Sequence, residues 1–492
     1  MSTGDPNISH CITGGVESVL RRVGEIAVQS GIECYAVGGI VRDILLDRPT
    51  SDIDFVTVGP DSGIELARAV AASYPGSAVN VFQNFGTASV RLRNENSPVT
   101  ELEFVAARRE SYQRDSRKPS IQDGTLKDDQ LRRDFTVNAM AIRITPDVFG
   151  ELIDPFGGVS DLNAGILRTP LEAGQTFDDD PLRIMRAARF AAQLSFSIDS
   201  TAREGMRLKA DRISIVSAER ICSELQKIMS SATPSIGFIA LYECGVLELI
   251  FPELVALQGV DTVDGQRHKD NFFHTLQVVD NLVEMTTERP AHDTEWLRWA
   301  ALLHDIGKPR SKRFRKGTGW SFHGHEEYGA RMVPKIFKRL RLPTDDRMRY
   351  VQHLIRMHHR PVALVDHSVT DSAVRRLVFD AGPSIEDLMI LVRADITSKN
   401  PKRVRRYLNA FESVEEKMRD VEERDGLRNF QPPVDGLEIM ERFGIPPGRL
   451  VGTLKDAVRE AILDGTIPNE HDAALAFLME MKDAILDQSS EQ

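Results

Sequence analysis

Residues 35–59, YAVGGIVRDILLDRPTSDIDFVTVG, decide how the chain is read. Two glycines, Gly38 and Gly39, precede Arg42 and Asp43, and Asp52 and Asp54 then flank Ile53 in a strand-like run. On a strand, residues i and i+2 share a face, so both carboxylates point the same way. Two like charges held that close are costly without a cation between them, and all-oxygen ligands suit Mg²⁺, an ion that also binds phosphates. Gly38 and Gly39 let the backbone approach a triphosphate, with their amides and the Arg42 side chain as donors. Glu103, in the neighbouring strand-like run ELEFVAARR (101–109), is the candidate third carboxylate of a two-metal site. An isolated D-x-D is usually a turn or a surface pair; G-G, R-D and D-x-D in order at short spacing point to nucleotide and metal instead.

Around that stretch, from about Val16 to Ile153, short apolar runs alternate with helical ones, which marks an α/β unit. The Pro and glycines of DPFGGVSDL (154–162) mark its end. Beyond them strand-like runs stop. PLRIMRAARFAAQL puts Leu182, Met185, Ala188 and Ala191 on one helical stripe, and Ile221, Leu225 and Ile228 repeat the period. The predicted fold class is multidomain α/β plus all-α: a head at 16–155, a helical neck at 156–232, a helical body at 233–400 and a helical tail at 401–492.

The 492 residues are 41% hydrophobic and 27% charged, which excludes a disordered, collagenous or disulfide-scaffold chain. Cys11, Cys34, Cys222 and Cys244 show no C-x-x-C spacing, so a reducing, cytoplasmic setting is expected. No signal-like N-terminus is present, and the most apolar run, FIALYECGVLELIF (238–251), is interrupted by Glu243 and Glu248, so no membrane partner is expected. The net charge of −11 hides basic clusters that attract phosphates: Lys308 to Lys316, Lys402 to Arg406, and Arg183, Arg186 and Arg189 spaced three apart.

Two further segments carry chemistry. DQLRRDFTVNAMA (129–141) contains Asp129, Arg132, Arg133, Asp134 and Asn138. FDDDPLRIMRAARFAAQL (177–194) begins a helix at Asp180-Pro181, a cap signal, and places Arg183 one turn on. With the G-G and D-x-D motifs, these resemble the class II CCA tRNA nucleotidyltransferase and bacterial poly(A) polymerase family, a polymerase β-like nucleotidyltransferase head on a helical neck. DPFGGVSDL, with Asp154, Gly157 and Asp161, matches that family's next segment.

The resemblance implies Asp52, Asp54 and Glu103 as the catalytic carboxylates, with Mg²⁺ on Asp52 and Asp54. It implies nucleotide contacts at Gly38, Gly39, Arg42, Asp129, Arg132, Arg133, Asn138, Asp180, Arg183, Arg186 and Arg189. Asp180 and Arg183 match the Asp and Arg of the family's E-D-x-x-R motif, which pairs with the base edge in place of a template; the Glu position is Asp179. The loop from about Tyr112 to Lys127 would be the flexible element that helps switch the base. VSAERICSELQKIM (216–229), with Glu219, Arg220 and Glu224, resembles the neck helix.

In the body, histidines bunch between Arg267 and Asp395: His274, the doublet His304-Asp305, His323, His325, His353, His358 and His359. The order H…HD…D resembles an HD domain, an all-α metal-dependent phosphohydrolase fold. It implies His274, His304, Asp305 and Asp395 as ligands of one divalent metal of unassigned identity. For His325, His353, His358 and His359, phosphate-binding and plain surface roles stay open.

The function implied is addition of C, C and A to the tRNA 3′ end from CTP and ATP with release of pyrophosphate. The alternatives are a poly(A) polymerase, an HD phosphohydrolase whose head only binds nucleotide, and a silent RNA-binding protein. FQNFGTASV (82–90), where the poly(A) branch tends to carry a strongly basic segment, favours tRNA.

Overall fold

The computed structural model describes residues 7–83, 86–93, 99–113, 116–260, 262–263, 266–267, 270–317, 319–365, 370–398, 400–425 and 433–490. Contacts divide the chain into two units, Met1–Pro252 and Glu253–Gln492.

The first unit opens with α1 (Gly14–Gln29), β1 (Glu33–Val37), α2 (Gly39–Leu45), β2 (Asp52–Val58) and α3 (Ser62–Ser73). Then come β3 (Ala78–Phe82), β4 (Thr87–Arg91), β5 (Glu101–Ala106), β6 (Arg108–Gln113), β7 (Ser116–Asp123), α4 (Leu126–Leu131), β8 (Ala141–Arg143) and β9 (Leu152–Ile153). Seven strands form one mixed sheet in the order β3-β4-β5-β2-β1-β8-β9. β2 runs parallel to β5 and antiparallel to β1, in a register that sets Asp54 beside Glu103 and Val37. Period-two alternation separates the faces. On one, Phe55 stacks on Phe104 at 4.9 Å, both fully buried. On the other, Tyr35, Val37, Val56 and Ala141 form a small apolar cluster capped by Leu126 of α4. The carboxylates stand at the end of this second face.

Helices α5 (Gly158–Ala164), α6 (Ala173–Asp179), α7 (Leu182–Leu194), α8 (Ser200–Leu208), α9 (Ala218–Met229) and α10 (Pro234–Glu243) complete the unit. The apolar stripe of α7 is wider than the four residues predicted, because Ile184, Ala187 and Phe190 are also buried against α9, α10 and Phe135. α10 packs closely on α7: a Cβ at Gly237 would stand 2.7 Å from Ile228 and 3.1 Å from the Ala188 carbonyl. Residues 233–252, expected in the body, group by contacts with the first unit, which ends at Pro252. The apolar 238–251 stretch is broken by a turn at Gly245 (φ 83°) into two short helices. Among the described residues no helix is long and apolar enough to cross a membrane.

The second unit is helical. Its helices Asn271–Met285, Ala291–Leu303, His325–Leu340, Asp346–Met357 and Ile385–Ala394 bury Phe272, Trp299 and Phe337. The expected tail, 401–492, falls by contacts in this same unit. Its helix Pro401–Asp425 pairs Glu415 with Arg393 at 2.6 Å, and Asp464 pairs with Arg376 at 2.9 Å. Strands do not end at 155: short pairs form at Ile166–Leu167 with Ser197–Ile198, and at Arg313–Arg315 with Gly319–Ser321.

Candidate functional site

In the first unit the carboxylates border a cleft of about 830 Å³, lined by α2, the start of β2, the 132–138 segment and α7. Eight basic side chains line it against five acids, an excess that suits a triphosphate. Asp52 is exposed and Asp54 half-buried. Burial lifts the Asp54 carboxyl above its usual range; the Arg133 guanidinium opposes this and Asp52 adds to it. Glu103, beside Asp54 in register, is lifted by burial and by Asp54. Three acids that repel in this way fit divalent cations with oxygen ligands.

The opposite wall is a hydrogen-bonded chain. Arg42 donates from Nη1 to Asn138 Oδ1 at 2.7 Å, and Asn138 Nδ2 donates to Asp134 Oδ1 at 3.0 Å. Asp134 Oδ2 accepts from Arg186 Nε at 2.6 Å. The N-terminal turn of α7 carries Asp180 and Arg183. Asp180 accepts from the Leu182 amide at 3.1 Å, so the predicted cap is made. Arg183 donates to the carbonyls of Thr176 and Arg132 at 3.2 and 2.5 Å. Arg189 reaches Glu224 of α9 at 3.3 Å and lies over Phe190.

In the second unit, His274, His304 and Asp395 bring their ligand atoms within 4.8 Å of one another. His274 Nε2 stands 2.9 Å from Asp395 Oδ1, and His304 Nε2 stands 3.3 Å from Asp305 Oδ2. His304 Nδ1 donates to the Ala301 carbonyl at 2.7 Å; burial works against the charged ring, but the Asp305 and Asp395 carboxylates beside Nε2 outweigh it and push the imidazole up to about 10. That buried Nε2 faces two carboxylates, Asp305 Oδ2 at 3.3 Å and Asp395 Oδ1 at 3.6 Å, where a divalent cation would take the place of its proton. Asp305 sits well below the usual carboxylate range: burial works against this, but His304 and Lys308 outweigh it. Burial pushes the His358 imidazole down to about 3, which keeps it in the neutral form that binds metals.

Residues 34–168 match the family described as poly A polymerase head domain, and residues 271–400 match the HD domain family. The chain is 33% identical over 448 residues to the A-adding tRNA nucleotidyltransferase of Deinococcus radiodurans, covering 89% of this chain and 93% of that protein. The chain belongs to the tRNA nucleotidyltransferase and poly(A) polymerase family, with an HD domain. It is likewise 33% identical over 458 residues to the multifunctional CCA protein of Ralstonia nicotianae, covering 88% and 95%. Among solved structures, a Thermotoga maritima CCA-adding enzyme complexed with tRNA shares the fold, with a TM-score of 0.61 at 22% identity over 96% of this chain and 98% of that one.

Within this nucleotidyltransferase, Asp52, Asp54, Gly39, Arg42, Arg132, Arg133, Asn138, Asp180, Arg183, Arg186 and Arg189 meet at one cleft. Three predicted residues do not line it. Asp129 is fully buried beneath Arg132 and Arg133 and pairs with both, which fixes their direction. Gly38, at φ 80°, stands behind Arg133; a Cβ there would lie 2.5 Å from its Nη1, which explains the glycine by close approach to a side chain. Glu103 stands on the adjoining strand. The 112–127 stretch, expected as a flexible loop, contains β7 and the start of α4, with 114 and 115 outside the described residues. Thr125 and Asp128 form a reciprocal capping box that fixes where α4 begins. Asp134 as the link between Asn138 and Arg186, and Arg220 and Lys227 in the cleft, were missed. Only the i, i+7 spacing of Arg220 and Lys227 on α9 could have signalled the last two.

Proposed function

We propose that this nucleotidyltransferase restores the 3′ end of tRNA by adding C, C and A from CTP and ATP. The observation that carries the reading is the pair Asp52 and Asp54 at the edge of a cleft whose far wall is the arginine-bearing face of α7. The primer 3′-oxygen forms a bond to the α-phosphorus while the bond to the pyrophosphate oxygen breaks. Mg²⁺, when bound at the carboxylates, lowers the pKa of that hydroxyl and offsets charge on the leaving pyrophosphate. Arg42, Arg132, Arg133 and Arg186 hold the phosphates, and Asp180 with Arg183 reads the base edge, so no nucleic-acid template is needed. The likeness to the multifunctional CCA protein of Ralstonia supports full CCA addition, and that to the A-adding tRNA nucleotidyltransferase of Deinococcus favours a second reading, addition of the terminal A alone.

One experiment tests both. tRNAs lacking A, CA or CCA are incubated with labelled CTP or ATP, and products are read at single-nucleotide resolution. Full repair of all three supports CCA addition, repair of only the first supports A addition, and long adenosine tracts would overturn both.

The HD body acts, on this reading, as a metal-dependent phosphohydrolase through His274, His304, Asp305 and Asp395. The four cysteines are free thiols, which supports a reducing, cytoplasmic setting.

A further inference from the structure

Between Asp305 and Glu326 the body carries six cations, Lys308, Arg310, Lys312, Arg313, Arg315 and Lys316, and no acid. Like charges packed this densely repel. Lys308 bonds Asp305, but Arg310, Arg313, Arg315 and Lys316 are exposed and pair with no acid among the described residues. No ion pair within the fold offsets the repulsion for these four.

The backbone turns part of this run into an ordered face. Arg313–Arg315 and Gly319–Ser321 pair as an antiparallel hairpin, with Arg313 opposite Ser321, Phe314 opposite Trp320 and Arg315 opposite Gly319. Side chains alternate along a strand, so Phe314 and Trp320 share one face and Arg313 and Arg315 the other. The aromatic face is the anchored one. Phe314 and Trp320 are half-buried, their rings meet edge to face at 5.1 Å, and Lys312 Nζ lies over the Trp320 ring at 4.7 Å. On the other face only Ser321 and Gly319 stand across from the arginines, so nothing large on the partner strand covers the guanidinium groups. Residues two apart on a strand are separated by about 6.6–6.8 Å, close to the separation of successive phosphates along a nucleic-acid strand.

We infer that the face of Arg313 and Arg315, extended by Arg310 and by Lys316 at the turn of the hairpin, binds the phosphate backbone of a single RNA strand. The row is one side chain wide, so it follows one backbone, whereas a double helix presents two across a groove. Each guanidinium offers a fork of donors that matches two phosphate oxygens. Contacts to phosphate carry no base information, so binding is independent of sequence. The hairpin belongs to the second compact unit, and none of its residues lines the nucleotide cleft of the first. The inference therefore does not depend on the reaction assigned to either unit.

The test uses full-length protein and a fluorescein-labelled single-stranded oligouridylate, with binding followed by anisotropy over a range of salt concentrations. Arg313→Ser with Arg315→Ser should raise Kd about tenfold and lower the slope of log K against log salt by about 1.4, the share of two single-strand phosphate contacts. A thiouridine-substituted oligomer, photocrosslinked to the unsubstituted protein, should label the 310–322 segment, which keeps the test decisive if the double variant fails to fold. An unchanged Kd and slope in a folded variant, or crosslinks that miss this segment, overturn the inference. Tighter binding of duplex RNA through the same arginines would show a surface made for two backbones and overturn the single-strand assignment. Tighter binding of phosphatidylserine vesicles would show a lipid-facing surface and overturn the RNA assignment.

Discussion

Asp134 holds Arg186 within one wall of the cleft, its Oδ2 accepting from Nε at 2.6 Å, and its other oxygen holds Asn138, which in turn accepts from Arg42. One buried carboxylate therefore sets the direction of two arginines that come from α2 and α7, far apart in sequence. Burial alone would raise its pKa, yet Arg186 and Asn138 win and hold it at about 2.

Asp134→Asn is expected to lower kcat/KM for nucleotide addition about tenfold or more, the worth of a hydrogen bond to a charged group. The loss should appear mainly as a raised KM for triphosphate. The pH dependence has a definite sign. A carboxyl with a depressed folded pKa contributes stability that is present above its unfolded value of 3.8 and is lost as pH falls through about 2. The Asn variant should lose this component, so acid titration followed by circular dichroism should show a shallower change over that window. Unchanged KM and an unchanged acid transition would refute the positioning role.

The paired acids make an opposite prediction. Burial and Asp52 raise the Asp54 carboxyl, so the folded protein holds that proton more tightly and this group's contribution to stability falls as pH rises. Mg²⁺ binds the ionised pair, so the rise in Tm on adding it should be larger at about pH 8 than at about pH 5. Asp54→Asn should erase that difference and reduce nucleotide addition to background. Asp52→Ala is expected to do the same to activity while leaving the fold intact. Substantial turnover by either variant would remove these residues from the catalytic role.

The two chemistries should separate by mutation. His304→Ala with Asp305→Ala is expected to abolish hydrolysis of phosphate esters such as 2′,3′-cyclic phosphate ends. It should leave nucleotide addition largely unchanged, because the carboxylates Asp52 and Asp54 lie in the other compact unit. Loss of nucleotide addition by a variant that remains folded would show that the centres are coupled.

How much of this was legible depends on the distance over which the signal acts. The D-x-D pair and the strand carrying Glu103 were readable because period two fixes which side chains share a face, and the register bears that out. The burial of Asp129 was not: its partners Arg132 and Arg133 are three and four residues on, a spacing as usual on a solvated helix as under a cleft. The packing of α10 was not legible either, because the apolar run 238–251 suits either core, and the close approach at Gly237 sets α10 against α7. His325 and His358 could not be ranked against His353 and His359 because the convergence of two helices selects between them. His353 instead reaches the Ala381 carbonyl at 3.3 Å, and His359 is exposed.

The last prediction concerns base choice. Asp180 and Arg183 sit one turn apart at the start of α7, both on the cleft wall, while Asp52 and Asp54 lie on β2. If the first pair reads the base, altering it should change which nucleotide is added more than how tightly triphosphate binds. Arg183 is a poor probe, because its guanidinium also holds the Thr176 and Arg132 carbonyls and its removal would disturb the phosphate-binding segment. Asp180→Ala is compromised too, since it removes the acceptor for the Leu182 amide and costs about 1 kcal/mol of helix capping. Asp180→Asn keeps a capping oxygen and replaces one acceptor oxygen by a donor, so it isolates recognition. Mispairing at a base edge should cost about 1–3 kcal/mol, which predicts a loss of roughly 5- to 150-fold in discrimination among CTP, ATP, UTP and GTP. The measurement is competitive incorporation on truncated tRNA, read at single-nucleotide resolution beside a triphosphate-binding assay. A variant with unaltered base preference would leave Asp180 as a helix cap only, and one that lost triphosphate binding in proportion would place it among the phosphate contacts.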